Sequence, residues 1–243
     1  MKNKLLTICR SGILKKTDEE TLPEPYIPSI PDNCNGGLVL AEAQNHGAKS
    51  REYLEWLRGL NSEDRMLRLF KYGEKLGCQP WDDGTLKFAL ACAFDSDPAQ
   101  WAVGNAVLWS RVHGSGRNDN PSESMTENSV RLWTEYLKVL KPRLIVTAGK
   151  VARTVMNKAG YQGARLSLLL PSPMNLRRMS SLFDTEDLLA RYPEVGTAAK
   201  AQPALVSSFD RSNKIFFACH AVSMARKLKT PIIGGFDGKA KTK

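Results

Sequence analysis

The stretch GLVLAEAQNHG, Gly37 to Gly47, decides how this chain folds. Gly37 to Ala41 form an apolar run with the length of a buried parallel strand, and polar residues follow at once. Three further runs share that character: Trp101 to Leu108, Arg143 to Ala148 and Arg165 to Leu170. Helical patterns lie between them. The clearest spans Glu127 to Leu140, where Val130, Trp133, Leu137 and Leu140 recur at helical spacing, Thr126 is a candidate N-cap and Pro142 prevents continuation. Arg51 to Arg58, between Ser50 and Gly59, and Glu63 to Tyr72, between Ser62 and Gly73, predict two more helices. Strands alternating with helices predict a three-layer, doubly wound α/β domain around a four-stranded parallel sheet. The apolar run Ile215 to Cys219 is a candidate fifth strand.

A chain of 243 residues with 42% hydrophobic content can bury one sizeable core, so a single domain is expected over 36–233. Residues Lys16 to Asn35 carry four prolines and many polar groups. They make 1–35 read as an extended N-terminal arm, and 234–243 as a disordered tail. The N-terminal apolar runs are broken by Arg10, Lys15 and Lys16, which fits neither a signal-peptide core nor a membrane span. An intracellular, monomeric protein is expected. Its five cysteines lack C-x-x-C spacing, which argues against a disulfide framework and against a zinc site, and no metal or other cofactor is expected.

Lys and Arg number 35 against 25 Asp and Glu, a formal net charge of +10 that attracts a polyanion. Nucleic acid is the leading partner, beside the plainer reading of a solvated basic surface. Phosphate-binding fingerprints are absent: in AGKVARTV no glycine stands five residues before Gly149, and no Ser or Thr follows Lys150. No G-x-G-x-x-G follows any candidate strand.

Polar residues just past the strand ends remain. Glu42, Gln44, Asn45 and His46 follow the first strand, and Asn105 is a lone amide in the second. The fourth leads into LPSPMNLRR, a rigid turn followed by Met174 and two arginines. Each has a structural reading as well: Glu42 as a helix-entry acid, Asn105 as a satisfied core amide, PSP as a turn.

In this order, the segments resemble the uracil-DNA glycosylase superfamily over roughly residues 36–180. LAEAQNHG is similar to the family's first motif, written GEAPG, GQDPYHG or GINPG in different branches. GNAVLWSRVHGSGRNDNPSES resembles its second-strand segment, RLIVTAGKVARTV its third, and LPSPMNLRR its second catalytic motif, written HPSP or LPNPSGLSR. Ala43 stands where the familiar branch has a catalytic Asp, so the resemblance gives the water-handling role to Glu42, with Asn45 and His46 beside it. Leu170 replaces the motif His, and Trp109 and Ser110 stand where an iron-sulfur branch carries a cysteine. His220 in FFACHAVSMARK is a competing second-motif histidine, with a plainer reading as a helix-start residue.

The resemblance implies a monofunctional, metal-independent enzyme that flips a base out of DNA and hydrolyses its bond to the sugar. Glu42 would favour the cationic sugar and hold the attacking water. Gln44 and Asn105 would bind the base. Ser172, Met174, Asn175, Arg177 and Arg178 would grip the DNA and fill the vacated space. Asn45, smaller than the tyrosine it matches, leads to the expectation of a pyrimidine enlarged at its fifth carbon, such as a glucosylated hydroxymethylcytosine of phage DNA removed in defence. Plain uracil in repair is the alternative. A non-catalytic DNA reader and a metal-dependent nuclease are alternatives of other classes.

Overall fold

The computed structural model describes residues 1–15, 17, 21–46, 51–67, 78–112, 122–206 and 211–228. Four strands form one all-parallel sheet: β1 (Gly37–His46), β2 (Ala102–Val112), β3 (Leu144–Ala148) and β4 (Ala164–Leu168), in the order β2-β1-β3-β4. All four predicted strands are there. The chain leaves β1 for one side, crosses to β3 on the other and continues to β4. This reversal makes the crevice between β1 and β3, at their carboxyl ends, the topological switch point of the sheet.

Helices cover both faces. On one lie α1 (Lys2–Ser11), α6 (Glu123–Leu140) and α7 (Lys150–Lys158), which press Leu5, Leu6, Leu132, Trp133, Val155 and Met156 against Leu38, Leu40 and Ile145. On the other, α5 (Thr85–Phe94), α8 (Pro173–Ser180) and α12 (Arg211–Ala225) bury Leu86, Leu90, Leu176, Phe216 and Phe217 against Val39, Val103, Val146 and Leu168. Every β3 residue is buried. Each large aliphatic side chain so placed contributes about 1.5–3 kcal/mol relative to exposure. The remaining helices, α2 (Arg51–Gly59), α3 (Ser62–Met66), α4 (Gln79–Asp82), α9 (Thr185–Arg191), α10 (Pro193–Ala201) and α11 (Pro203–Val206), surround this frame. Among the described residues no helix is long and apolar enough to cross a membrane.

The sequence expectations need four corrections. Ile215 to Cys219 is not a strand but the middle of α12. That helix sits between the sheet and an outer cluster containing Val195 of α10, so all five residues are buried and the amphipathic stripe that marks a helix is missing. The N-terminal arm is not simply extended: residues 2–11 form α1, with Leu5, Leu6 and Cys9 in the core. The segment after it does run extended, antiparallel to the outer edge of β2. Ser29 and Val103 exchange N–H···O bonds of 2.8 Å each way, Tyr26 N donates to Leu108 O at 3.1 Å, and Leu22 N to Ser110 O at 3.3 Å. Its prolines are tolerated because it is an edge, where a missing N–H breaks no ladder on the far side. The ordered domain therefore begins well before residue 36.

Third, the cap of α6 is Ser122 rather than Thr126. Ser122 Oγ accepts from Met125 N at 3.2 Å, while the Thr126 hydroxyl donates to Ser122 O. The helix ends as expected ahead of Pro142, through Lys141 at φ +44°. Fourth, the helix expected from Glu63 to Tyr72 is described as α3 only to Met66, capped by Asn61, whose side chain accepts from Asp64 N at 2.9 Å. Residues 68–77 lie outside the described residues, as do the expected tail 234–243 and residues 113–121 of the second-strand segment.

The cysteines are all free thiols. Cys9, Cys78 and Cys219 are buried, and burial first of all pushes Cys92 and Cys219 up to about 12, which makes them poor nucleophiles.

Candidate active site at the carboxyl rim of the sheet

The rim is set by where β3 and β4 stop. Leu40 pairs with Thr147 in β3, and Ala148 with Leu168 in β4, so Ala41 and Glu42 stand level with the ends of both. Neither Glu42 nor Asn105 lies at its own strand's end, however. β1 and β2 run on together to the pair His46 and Val112. The register shifts between Ala43 and Gln44, where β2 takes up two additional residues, Leu108 and Trp109. Such a bulge bends the strand and increases its local twist. The backbones of Gln44, Asn45 and His46 thus belong to a two-stranded ribbon continuing past β3, although the sequence places these residues just beyond a strand that ends at Ala41.

Glu42 shares the α6/α7 face with Leu38 and Leu40 by strand alternation, and its contacts agree. Its Oε1 accepts from Val151 N, in the first turn of α7, at 2.9 Å. A carboxylate there satisfies a helix N–H and complements the positive end of the helix dipole. Gly149 makes the approach possible. It enters α7 at φ +100°, and a Cβ on it would stand 2.3 Å from Glu42 Oε1. Lys150, exposed, begins the helix.

From this point hydrogen bonds cross the rim to β4. Gly149 N donates to Leu168 O at 3.1 Å, and Leu169 N to His220 Nε2 at 3.4 Å. His220 is therefore a mid-α12 residue bonded to the backbone of Leu169, not a helix-start histidine. An accepting Nε2 requires the neutral ring, and burial, followed by the charge of Lys227, lowers its pKa. The chain then turns through Pro171 into α8, capped by Ser172, whose Oγ accepts from Asn175 N at 3.3 Å. Leu176 anchors α8 in the core. Asn175, Arg177 and Arg178 are exposed, and Met174 projects with 79% of its surface free.

Asn105 is 1% exposed and pairs in register with Ala41. Its neighbours Ala102 and Ala106 face the α6/α7 layer and Val103 faces the other, so alternation gives Asn105 the α5/α8/α12 face. The fold thus brings Glu42, the PSP turn and α8 to one rim, and places Asn105 level with Glu42 on the opposite face. Gly149 and the placement of His220 are contributors whose roles the motifs do not give, although His220 itself stands in the sequence as a competing second-motif histidine. Gly149 carries a signal, a glycine directly between a strand and a helix. The position of His220 carries none, because 51 residues separate it from Leu169.

A pocket of about 350 Å³ lies elsewhere, at the amino end of β2, lined by residues including Trp81, Lys87, Asp97, Trp101 and Gln202. It contains none of the rim residues, and both indoles are buried in the core. The rim, with an oriented carboxylate at the switch point, is the better candidate for chemistry. Among the described residues no three His, Cys, Asp or Glu side chains are grouped to hold a metal ion. No family model matches the chain, and no curated protein matches its sequence.

Proposed function

We propose that this protein is a DNA glycosylase that hydrolyses the N-glycosidic bond of a flipped pyrimidine and leaves an abasic site. The observation that carries the reading is the Glu42 carboxylate held by the α7 N-terminus at the switch point of an all-parallel sheet. The roles of the remaining residues follow from the resemblance of the four motifs to a uracil-DNA glycosylase-like enzyme. Breaking the bond builds positive charge on the sugar and negative charge on the base. Glu42 offers the first a fixed counter-charge and offers the attacking water an acceptor. Asn105, level with Glu42 but on the opposite face of the sheet and 1% exposed, is assigned the edge of the base by the motif alone. Met174, exposed at the start of α8, fills the gap in the stack, while Ser172, Asn175, Arg177 and Arg178 lie against phosphate. The net charge of +10 draws the chain to DNA.

The preferred base is a pyrimidine enlarged at its fifth carbon, because Asn45 stands where the familiar branch has a tyrosine. A second reading, a DNA reader without turnover, is favoured by one observation: the Val151 contact gives Glu42 a structural role as a helix cap. One experiment separates these readings. Purified protein is incubated in chelator with DNAs containing uracil, hydroxymethylcytosine or glucosylated hydroxymethylcytosine, and alkali-labile sites and released base are measured. Abasic sites without direct nicking, most on the glucosylated DNA, are expected. Release of uracil alone removes the modified-base preference, and binding with no abasic sites on any DNA leaves the reader.

A further inference from the structure

On the glycosylase reading, and resting on it, we propose that Tyr26 is a positioning residue that sets the base-reading geometry of Asn105 from outside the sheet. β2 is an edge strand, so its outward N–H and C=O groups have no neighbouring strand of the parallel sheet to bind. At Asn105 a side chain takes that place. Tyr26 Oη accepts from Asn105 N at 2.9 Å and faces Val107 O at 3.5 Å, as a donor at the limit of a hydrogen bond. One hydroxyl thus spans the backbone on both sides of Ala106, fixing the peptide planes that aim the Asn105 amide.

Tyr26 is itself held at every polar group. It is fully buried, its N–H donates to Leu108 O at 3.1 Å, and its carbonyl accepts from Tyr136 Oη at 3.1 Å. Tyr136 Oη in turn lies 2.7 Å from Cys9 Sγ. The chain Cys9, Tyr136, Tyr26, Asn105 therefore joins α1, α6, the extended N-terminal segment and β2 in one buried run. The contact acts just before the bulge at which β1 and β2 leave the regular sheet. There, β2 gains two residues, the regular ladder is interrupted and the strand bends. A pocket that reads a base by hydrogen bonds needs its donors and acceptors fixed to a fraction of an ångström, which a rigid supporting contact provides.

The test compares Tyr26→Phe with Tyr136→Phe, Asn105→Ala and the unaltered protein on the substrate that the excision assay identifies. Tyr136→Phe removes the bond to the Tyr26 carbonyl and leaves the Asn105 contact in place, so it controls for lost stability. Expected are a kcat lowered about tenfold in Tyr26→Phe with KM for DNA unchanged, reduced discrimination between cognate and non-cognate base, and faster hydrogen exchange at the Asn105 amide. Tyr136→Phe, which loosens Tyr26 at its carbonyl and keeps the Asn105 contact, is expected to lose clearly less kcat than Tyr26→Phe, and an equal loss in both overturns the role of the Asn105 contact. If Tyr26→Phe does not fold, 3-fluorotyrosine at position 26 weakens the hydroxyl as an acceptor without changing its shape, and a smaller drop in the same direction is expected. Loss of excision in Asn105→Ala with wild-type kcat and discrimination in the Tyr26 variant overturns the role of Tyr26 and leaves the glycosylase reading standing. Full activity in Asn105→Ala, or no excision by the unaltered protein, overturns both.

Discussion

Along the outer edge of β2, Tyr26 is fully buried and binds protein through its N–H, its carbonyl and its hydroxyl, whereas on the carboxyl rim Glu42 is half-buried and gives Oε1 to a helix N-terminus. Both groups are polar and both are oriented by the fold. The edge is closed by backbone bonds from Leu22, Tyr26 and Ser29 to β2 and by the Tyr26 hydroxyl. The rim is assembled from strand ends and helix starts, where backbone groups and exposed side chains face outward together. The same chain thus uses polar contacts to fix its frame in one place and to orient a half-buried carboxylate in another.

The largest expected effect breaks the edge. Glu24, 5% exposed, takes a two-pronged contact from Arg65: Nε to Oε2 at 2.8 Å and Nη2 to Oε1 at 2.9 Å. Burial alone would raise the Glu24 pKa, but the hydrogen bonds from Arg65 and Ser62 and the Arg65 charge outweigh it and hold the carboxyl below its ordinary value of 4.5. Arg65 also donates to the carbonyls of Leu60 and Arg58, tying α2 and α3 to the N-terminal segment. Arg65→Ala leaves a buried carboxylate without its cation and is expected to cost about 3 kcal/mol in urea unfolding. The bonds of Arg65 run to Glu24, Arg58 and Leu60 and not to Tyr26 or Asn105, so the excision rate per folded molecule is expected to stay at the wild-type level. A stability loss below about 1 kcal/mol would show that water reaches Glu24 freely.

At the rim the opposite outcome is expected. Glu42→Gln keeps an oxygen that can accept from Val151 N and loses the charge, so the fold remains and excision falls by about a hundredfold, equivalent to about 2.7 kcal/mol of barrier. Melting and single-turnover kinetics on the same preparation check both halves. A variant that melts early and still excises normally would make Glu42 a helix cap and nothing more.

How much of this was legible differs between the two regions. The runs in β1, β2 and β3 were readable as short apolar segments buried on both faces, whereas β4 shows the alternation of a half-buried edge strand, with Leu166 and Leu168 buried and Arg165 and Ser167 partly exposed. Residues 215–219 were misread by the same logic, since a helix enclosed on all sides looks like a strand over five residues. The N-terminal segment was misjudged because its prolines signal irregular chain without saying what it packs against. The contacts of Tyr26 with Asn105 and Val107 span 79 and 81 residues. At the rim, residue types and order gave Glu42 and the PSP turn, but register decides faces, and only pairing shows that Asn105 alternates away from Glu42. The continuation of β1 through His46 was hidden by polar residues that read as lying past the strand end.

The smallest expected effect sharpens the comparison by means of pH. His220 Nε2 accepts from Leu169 N where β4 hands over to the PSP turn, and a proton on that nitrogen removes the acceptor. Its folded pKa lies below the ordinary 6.5, first through burial and then through the charge of Lys227. The unfolded chain therefore takes up the proton first as pH falls. The stability that the neutral ring provides is complete above about pH 6.5, and it is lost progressively as pH drops through the lowered folded value. Glu24 acts in a separate, more acidic window, because its depressed pKa contributes stability that is lost only below about 4.5. Urea melts between pH 7 and pH 5 should consequently show a decline that belongs to the rim and not to the edge. His220→Asn retains an acceptor that does not titrate, and is expected to flatten the decline in that interval while leaving the more acidic fall unchanged. If the variant declines as steeply as the wild type from pH 7 to pH 5, the proton is taken up elsewhere and the Leu169 contact is not what couples the rim to pH.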